Sequence, residues 1–277
     1  MAFFGAFPKT KYDYPGHNNT EIVDIFRSAS AIDSGVDRAA TYQVYSLGDQ
    51  RPDQLAEELY GNPELHWTFF VANVHLRNGW PLSYSALENY IAKKYNGFAM
   101  TLYRTDVNVS VIGGAETAGD DLEKNTIAGS FPIGSIITGT GHPAIATAEA
   151  EDIPAIDPSG ATAEIIGRSP DTNTLYFRYT SDNIFTDGEQ FLVRDSNNET
   201  YNINEKYLIQ DWKAAPHHYE DTNGEYITNQ TNLNYSDFSV SYNTYESDLN
   251  DYRKNIRIIR EEYIEDFVIA YRKAINE

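Results

Sequence analysis

An α+β chain with an inserted small all-β domain is predicted by three observations. Between Tyr42 and Gly97, apolar residues recur at helical spacing behind one short strand-like run. Between Val107 and Tyr207 the helical period is missing, and short β-like runs alternate with turn signals. From Tyr242 onward helical stripes return, interrupted by an isoleucine-rich stretch.

The first region reads element by element. Tyr42, Val44 and Leu47 suit a short strand. Asp49 is the expected N-cap of a helix with Pro52 in its first turn, where a missing N–H costs little. Leu55, Ala56, Leu59 and Tyr60 form its apolar stripe, and Gly61 is placed to end it in a left-handed conformation. Asn62 then caps a second helix with Pro63 at its first position and Trp67, Phe70, Val71 and Val74 as its stripe. Asn78-Gly79 marks a turn. Ser83 caps a third helix, with Leu87, Tyr90 and Ile91 inward and Gly97 at its end.

The middle region is rich in Gly, Thr, Ile and Asp. The strand candidates are "GSIITG", "ATAEIIG", "TLYFRYT", "EQFLVRD" and "TYNIN". Phe131-Pro-Ile-Gly134 and Phe185-Thr-Asp-Gly188 head two similar strand entries, which hints at internal duplication. The acidic stretches around Glu116–Glu123 and "AEAEDIP" read as solvated loops.

In the tail, Tyr245, Leu249, Tyr252 and Ile256 fall at heptad-like spacing. Ile264, Phe267, Val268, Tyr271 and Ile275 form a second stripe. "NIRIIRE" between them favours a strand over one continuous helix, because three isoleucines in four positions suit a pleated surface. The first forty residues read as an arm. Phe3, Phe4, Phe7, Tyr12 and Tyr14 alternate with Gly, Pro and Lys, although "EIVDIFRSA" suits a short helix with Ile22, Ile25 and Phe26 on one face. An apolar arm without its own core must dock on something, which makes Phe3, Phe4 and Phe7 candidate interface residues. Phe267 and Tyr271 join them, since the last helix carries more apolar surface than one small domain needs. The expected divisions are an arm over 1–40, a first core part over 41–106, the β-rich insertion over 107–210 and a completing part over 211–277.

Composition bounds the function. Of 277 residues, 41 are acidic and 21 basic, for a net charge of −20. Neither nucleic acid nor an anionic membrane surface is an expected partner. No apolar run approaches the length of a membrane span, and "MAFFGAFPKTKYDYP" lacks the pattern of a signal peptide. There are no cysteines, so disulfides and thiolate metal sites are excluded. The 21 tyrosines suit interfaces, and equally suit a small core in which Tyr replaces Phe.

No catalytic signature is present, and no metal or cofactor is expected. His217-His218 followed by Glu220 has metal-capable side chains, but adjacent residues of an extended segment point to opposite sides. A zinc protease needs His-Glu-x-x-His on a helix instead. Gly139-x-Gly141 lacks the third glycine of a dinucleotide site. With 41 carboxylates, pairs of them carry no information about glycosidase chemistry.

One constellation is more specific. The run Arg51-Pro52-Asp53-x-Leu55-Ala56, then Tyr60-Gly61-Asn62-Pro63-x-Leu65-x-Trp67, then Asn73 and Gly79-Trp80, resembles a LysM motif. More narrowly, it resembles the small LysM-containing baseplate wedge subunit of contractile-tailed (myovirus) bacteriophages. "DIFRS" and "TYESDLNDYRKNIRIIREEYIEDFV" are similar to that family's N-terminal and C-terminal segments, so the likeness covers about half the chain in the family's order. The region from about Val107 to Ile209 departs from it, being larger and richer in β structure than short family members carry.

The resemblance implies a split LysM-like βααβ core in which Tyr42–Tyr45 pairs with Asn255–Ile259, with Arg51, Pro52, Leu55, Tyr60, Gly61, Pro63, Trp67, Asn73 and Trp80 as its motif positions. It implies a structural, non-enzymatic virion protein of the tail baseplate, assembled in the host cytoplasm. The implied partners are the wedge's core helical-bundle protein, a sheath-initiator-like protein and neighbouring wedges, with six copies clamping a ring around the hub. The alternative is a LysM-type glycan (peptidoglycan) binding module. That reading calls for a shallow groove of exposed polar and aromatic groups.

Overall fold

Pro52 and Gly61 bracket the first helix and show how local chemistry sets the frame. Proline holds the residue before it extended, so Arg51 rather than Asp49 is the N-cap (φ −76°, ψ 154°). The Arg51 N–H donates to the Gln54 side chain at 3.2 Å. Gly61 closes the helix at φ 61°, its N–H on the Glu57 carbonyl.

The computed structural model describes residues 8–14, 17–24, 41–102, 109–111, 131–143, 155–203, 207–221, 223–227 and 239–276. The chain is α+β and divides into two units, Met1–Leu87 with Ser247–Glu277, and Glu88–Glu246.

The first unit opens with a hairpin, β1 (Lys9–Tyr14) and β2 (His17–Val23), in which Lys9 faces Val23 and Lys11 faces Glu21. The helix expected from Glu21 is therefore a strand over Glu21–Val23. Ile22 and Val23 are β-branched and find cross-strand partners there, and the rest of "EIVDIFRSA" beyond Asp24 lies outside the described residues. Next come β3 (Tyr42–Ser46) and α1 (Pro52–Tyr60), which buries Leu55 and Ala56. Asn62 then accepts a hydrogen bond from the Glu64 N–H, as a cap should, but the element it caps is a 3₁₀ turn over Pro63–His66, and only then does α2 (Trp67–Ala72) begin. A 3₁₀ turn winds three residues per turn rather than 3.6, so the helix face is rotated from the one a continuous helix would present. Trp67, Thr68 and Phe69 are buried, Phe70 and Val71 are half-buried, and Val74 is exposed, contrary to the expected stripe.

The helix after Ser83, α3 (Tyr84–Lys94), buries Ile91 and leaves Tyr90 exposed. The second unit is then dominated by one antiparallel sheet. Its strands are β4 (Phe98–Leu102), β5 (Val109–Val111), β6 (Ile136–Gly141), β7 (Thr162–Ser169), β8 (Thr174–Tyr179), β9 (Gln190–Arg194), β10 (Thr200–Ile203) and β11 (Tyr207–Asp211), in the order β11-β4-β8-β7-β6-β9-β10-β5. Met100, Ile137, Ile165, Phe177, Phe191 and Ile203, from six of these strands, share one core. The five strand candidates of the sequence are β6 to β10. Phe98–Leu102 was not among them, and it ties the end of the helical region into this sheet. Phe131 lies five residues before β6 and Phe185 five before β9. Both are buried, each precedes a glycine at positive φ (Gly134 89°, Gly188 80°), and the two strands pair with one another. The two similar entries thus occupy equivalent places in the sheet. A smaller sheet holds β12 (Pro216–Glu220), β13 (Tyr226–Ile227) and β14 (Ser239–Ser241) in the order β13-β12-β14.

The chain returns through α4 (Tyr242–Lys254), β15 (Asn255–Ile259) and α5 (Ile264–Asn276), so the isoleucine-rich stretch is a strand between two helices. On α4 the buried side chains are polar, Glu246 and Asn250, and Tyr252 of the heptad-like series is exposed. On α5 the whole expected stripe of Ile264, Phe267, Val268, Tyr271 and Ile275 is buried.

Candidate functional site: a strand pair sealed on one edge

β3 and β15 form a two-stranded antiparallel sheet, Tyr42 opposite Ile259 and Ser46 opposite Asn255. The strands are about two hundred positions apart in sequence, so this sheet joins the two sequence segments of the first unit. Its alternation is fixed at both ends. Leu47 N–H donates to the Lys254 carbonyl at 2.8 Å and Arg260 N–H to the Thr41 carbonyl at 3.0 Å. In an antiparallel ladder such pairs alternate, so Thr41, Gln43, Tyr45 and Leu47 point their backbone groups at β15. Tyr42, Val44 and Ser46 point theirs away. On β15 the outward groups are those of Asn255, Arg257 and Ile259.

The outer edge of β15 is sealed by side chains. Asn73, 3% exposed at the end of α2, donates its amide to the Arg257 carbonyl at 2.8 Å and accepts from the Arg257 N–H at 2.8 Å. Its second amide hydrogen goes to the Phe69 carbonyl at 2.8 Å, which fixes the rotamer. Tyr60, at the end of α1, donates its hydroxyl to the Ile259 carbonyl at 2.8 Å. Burial pushes that phenol up to about 12. Each helix thus ends in one polar side chain that completes the strand, as a neighbouring strand would.

Other motif residues support the same arrangement. Trp80 donates its indole N–H to the Gln50 carbonyl at 2.8 Å and packs its ring against Phe69 and Phe70. Trp67 is 7% exposed, with ring centroids 6.3 Å from Phe267 and 4.9 Å from Tyr271. Leu55 is fully buried, and the Arg51 guanidinium lies 2.9 Å from the Asp53 carboxylate. Pro63 starts the 3₁₀ turn. Asn250 adds a second amide clamp, accepting from Leu82 N–H at 2.7 Å and donating to the Leu82 carbonyl at 3.0 Å.

The interface candidates fare differently. Phe267 and Tyr271 are buried in the chain's own core against Trp67, so neither is a surface anchor; their apolar bulk is used at home. Phe3, Phe4 and Phe7 lie outside the described residues. Sequence reading missed the exposed apolar residue in the middle of β3, Val44, at 76% exposure. It also missed that Asn73 and Tyr60 act on the backbone of β15. A lone Asn after an apolar helix was the available signal.

In the second unit, Glu246 is buried and compensated by Lys94 at 2.7 Å and the Tyr95 hydroxyl at 2.6 Å. Burial pulls the Lys94 pKa down, but Glu246, Tyr90 and Tyr95 together outweigh it and the net shift is upward. His217 stacks on Tyr245 at 3.9 Å, and its Nδ1 lies 2.8 Å from that of His218. Burial, and then the neighbouring His218, lower the His217 pKa. His218 Nε2 lies 2.9 Å from the Glu220 carboxylate. Among the described residues no group of three or more His, Asp or Glu is placed to hold a metal ion, and no helix is long and apolar enough to cross a membrane.

Residues 2–105 match the family model described as base plate wedge protein 53. That stretch contains the hairpin, β3, α1, α2, Asn73 and Trp80. No curated protein and no solved structure matches the chain.

Proposed function

We propose that this chain is a phage baseplate wedge subunit and acts as a structural clamp that joins neighbouring wedges into a six-fold ring around the hub. The observation that carries the reading is the match over residues 2–105, which spans the N-terminal segment together with the β3–α1–α2 half of the sealed unit. The family description of the matched part supports a location in the tail baseplate, in association with other baseplate components. The finer partners proposed are the wedge's core helical-bundle protein and a sheath-initiator-like protein, with assembly in the host cytoplasm and six copies per baseplate.

The strand–helix–helix–strand unit supports a LysM-like core used as a rigid mount rather than as a glycan receptor. Its tryptophans serve packing: Trp67 is buried, and Trp80 is engaged by Gln50 and two phenylalanines. The N-terminal Phe3, Phe4 and Phe7 are the proposed anchors on a neighbour. Burying each phenylalanine contributes roughly 1.5–3 kcal/mol. Fixing each residue of the arm costs about 1–2 kcal/mol, so the arm gains most where its phenylalanines enter pockets.

The test is reconstitution. Deleting Met1–Pro8 leaves the fold unchanged by circular dichroism and weakens wedge-to-wedge joining. Unimpaired joining by the deleted chain removes the arm from the clamp.

A further inference from the structure

We infer that the open edge of β3 is a strand-addition site, and that its occupant is the β1–β2 hairpin of a second copy of this chain, entering along β1. The inference rests on the clamp reading and names one contact through which copies would meet.

The two edges of the β3–β15 sheet are treated oppositely. Asn73 and Tyr60 satisfy the outward groups of Arg257 and the Ile259 carbonyl. Nothing among the described residues pairs with the outward N–H and C=O groups of Tyr42, Val44 and Ser46. An open edge is a template for another chain, which folded proteins ordinarily blunt with charge, proline or a bulge. Here the edge reads Tyr-Gln-Val-Tyr-Ser, with no charge, no proline and Val44 exposed at its centre.

The hairpin has the complementary defect. A two-stranded hairpin is marginal by itself, and stability comes with a third strand or a packed face. Among its described apolar side chains, Val23 packs on the core and Ile22 is exposed. Asp24 N–H donates to the Pro8 carbonyl, which by alternation turns the backbone groups of Lys9 and Lys11 outward along β1. Joining this edge to β3 makes a four-stranded sheet, β15–β3–β1–β2, from two pairs that each lack a neighbour.

Charge selects β1 over a copy of β3 itself. The chain carries −20, so two identical faces repel. β1 is a local exception, with Lys9 and Lys11 against the one carboxylate of Asp13; Lys9 lies 3.8 Å from Glu21, and Lys11 has no ion pair among the described residues. β3 ends three residues before the exposed carboxylate of Asp49. A hairpin-to-β3 contact is head-to-tail, the kind that forms a ring where the rotation between copies closes.

The absence of native cysteines makes the test clean. Chains carrying only Val44→Cys are mixed under oxidising conditions with chains carrying only Lys9→Cys, Thr10→Cys or Lys11→Cys. The expected result is a mixed-chain disulfide dimer with at least one hairpin position. It forms at least tenfold more than with Ile269→Cys, an exposed control on α5. Val44→Pro removes only an outward N–H, so it keeps the fold by circular dichroism. Paired with Tyr42→Cys in place of Val44→Cys, it abolishes the dimer. Equal cross-linking to the control overturns the inference. So does a disulfide found only within one chain bearing both cysteines, which would mean the hairpin folds back on its own β3. If no dimer forms while the Met1–Pro8 deletion still weakens wedge joining, strand addition fails and the clamp stands. If the dimer forms while wedge joining is unaffected, the reverse holds.

Discussion

The amide of Asn73 and the backbone of Arg257 exchange two hydrogen bonds of 2.8 Å across 184 positions of sequence. One side chain at the end of a helix therefore replaces the strand that β15 lacks. It also ties the family-matched N-terminal part of the chain to the C-terminal segment. Removing it orphans two backbone groups at a buried contact, at about 1–3 kcal/mol each. Asn73→Ala should destabilise the first unit by about 2–4 kcal/mol, read as a lower urea midpoint by helix signal. A midpoint unchanged from the parent chain would show that water replaces the amide at no cost.

Trp67 lies between α2 and α5 rather than at the surface. Trp67→Ala removes a large buried ring packed against Phe267 and Tyr271 and should cost about 3–5 kcal/mol. Thermal melting of the variant checks this, and a normal melt would place the indole outside the core.

Much of this unit is legible in the sequence, for local reasons. Gly61 and Pro63 can end one helix and begin the next in few other ways. Three β-branched residues in "NIRII" argue for a strand whatever lies around them. The α5 stripe is regular because α5 is a regular helix, and every expected position is buried. Where the expectation fails, a non-local or subtle cause is at work. The expected stripe fails because α2 starts only at Trp67 and ends at Ala72: Asn73 is extended (φ −128°, ψ 98°), and Val74 opens a separate 3₁₀ turn and is exposed, while Phe69 is buried. Asp49 loses the cap to Arg51 because Pro52 fixes its predecessor. Asn73 and Tyr60 are visible as motif positions but not as edge seals, since their partners are backbone groups that any residue would offer. Phe267 and Tyr271 look surplus until Trp67 is brought against them.

Burial raises the Tyr60 phenol from its ordinary value near 10 to about 12. A raised folded-state value means the folded chain holds a proton that the unfolded chain has released. Stability is thus fully present below pH 10 and is lost as pH rises toward 12. Across that window Tyr60 contributes about 2–3 kcal/mol of the loss, by two units at 1.36 kcal/mol each. Tyr60→Phe should flatten the alkaline limb of the first unit's stability profile, at the cost of about 1 kcal/mol near neutrality for the lost bond to Ile259. An identical limb in the variant would assign the loss to other tyrosines.

On the acid side the sign reverses for His217. Its lowered value means that the unfolded chain takes up the proton first. The contribution is present above about pH 6.5 and is lost as pH falls through the lower folded-state value. His217→Phe keeps the stack on Tyr245 and should make the second unit less sensitive to acid as pH falls below about 6.5. The check is the melting temperature followed down that range, and equal slopes in both proteins would remove His217 as the cause.

The two units should separate at their own boundaries and not at those of the β-like composition. Replacing 107–209 by a Gly-Ser linker leaves β4 without β8 and β11 and exposes Met100 and Leu102, so that deletion should aggregate. Replacing the whole of 88–246 should leave a folded, protease-resistant first unit that keeps the helix signal of α1, α2 and α5. Unfolding of both deletions alike would mean that the units depend on one another.

The central claim is that this chain joins wedges. The most direct measurement is sedimentation of reconstituted wedges with the chain present, omitted and added back. The account predicts complete single wedges but no closed six-fold rings without it, and rings restored on addition of the chain. Rings closing to the same extent in its absence would contradict it.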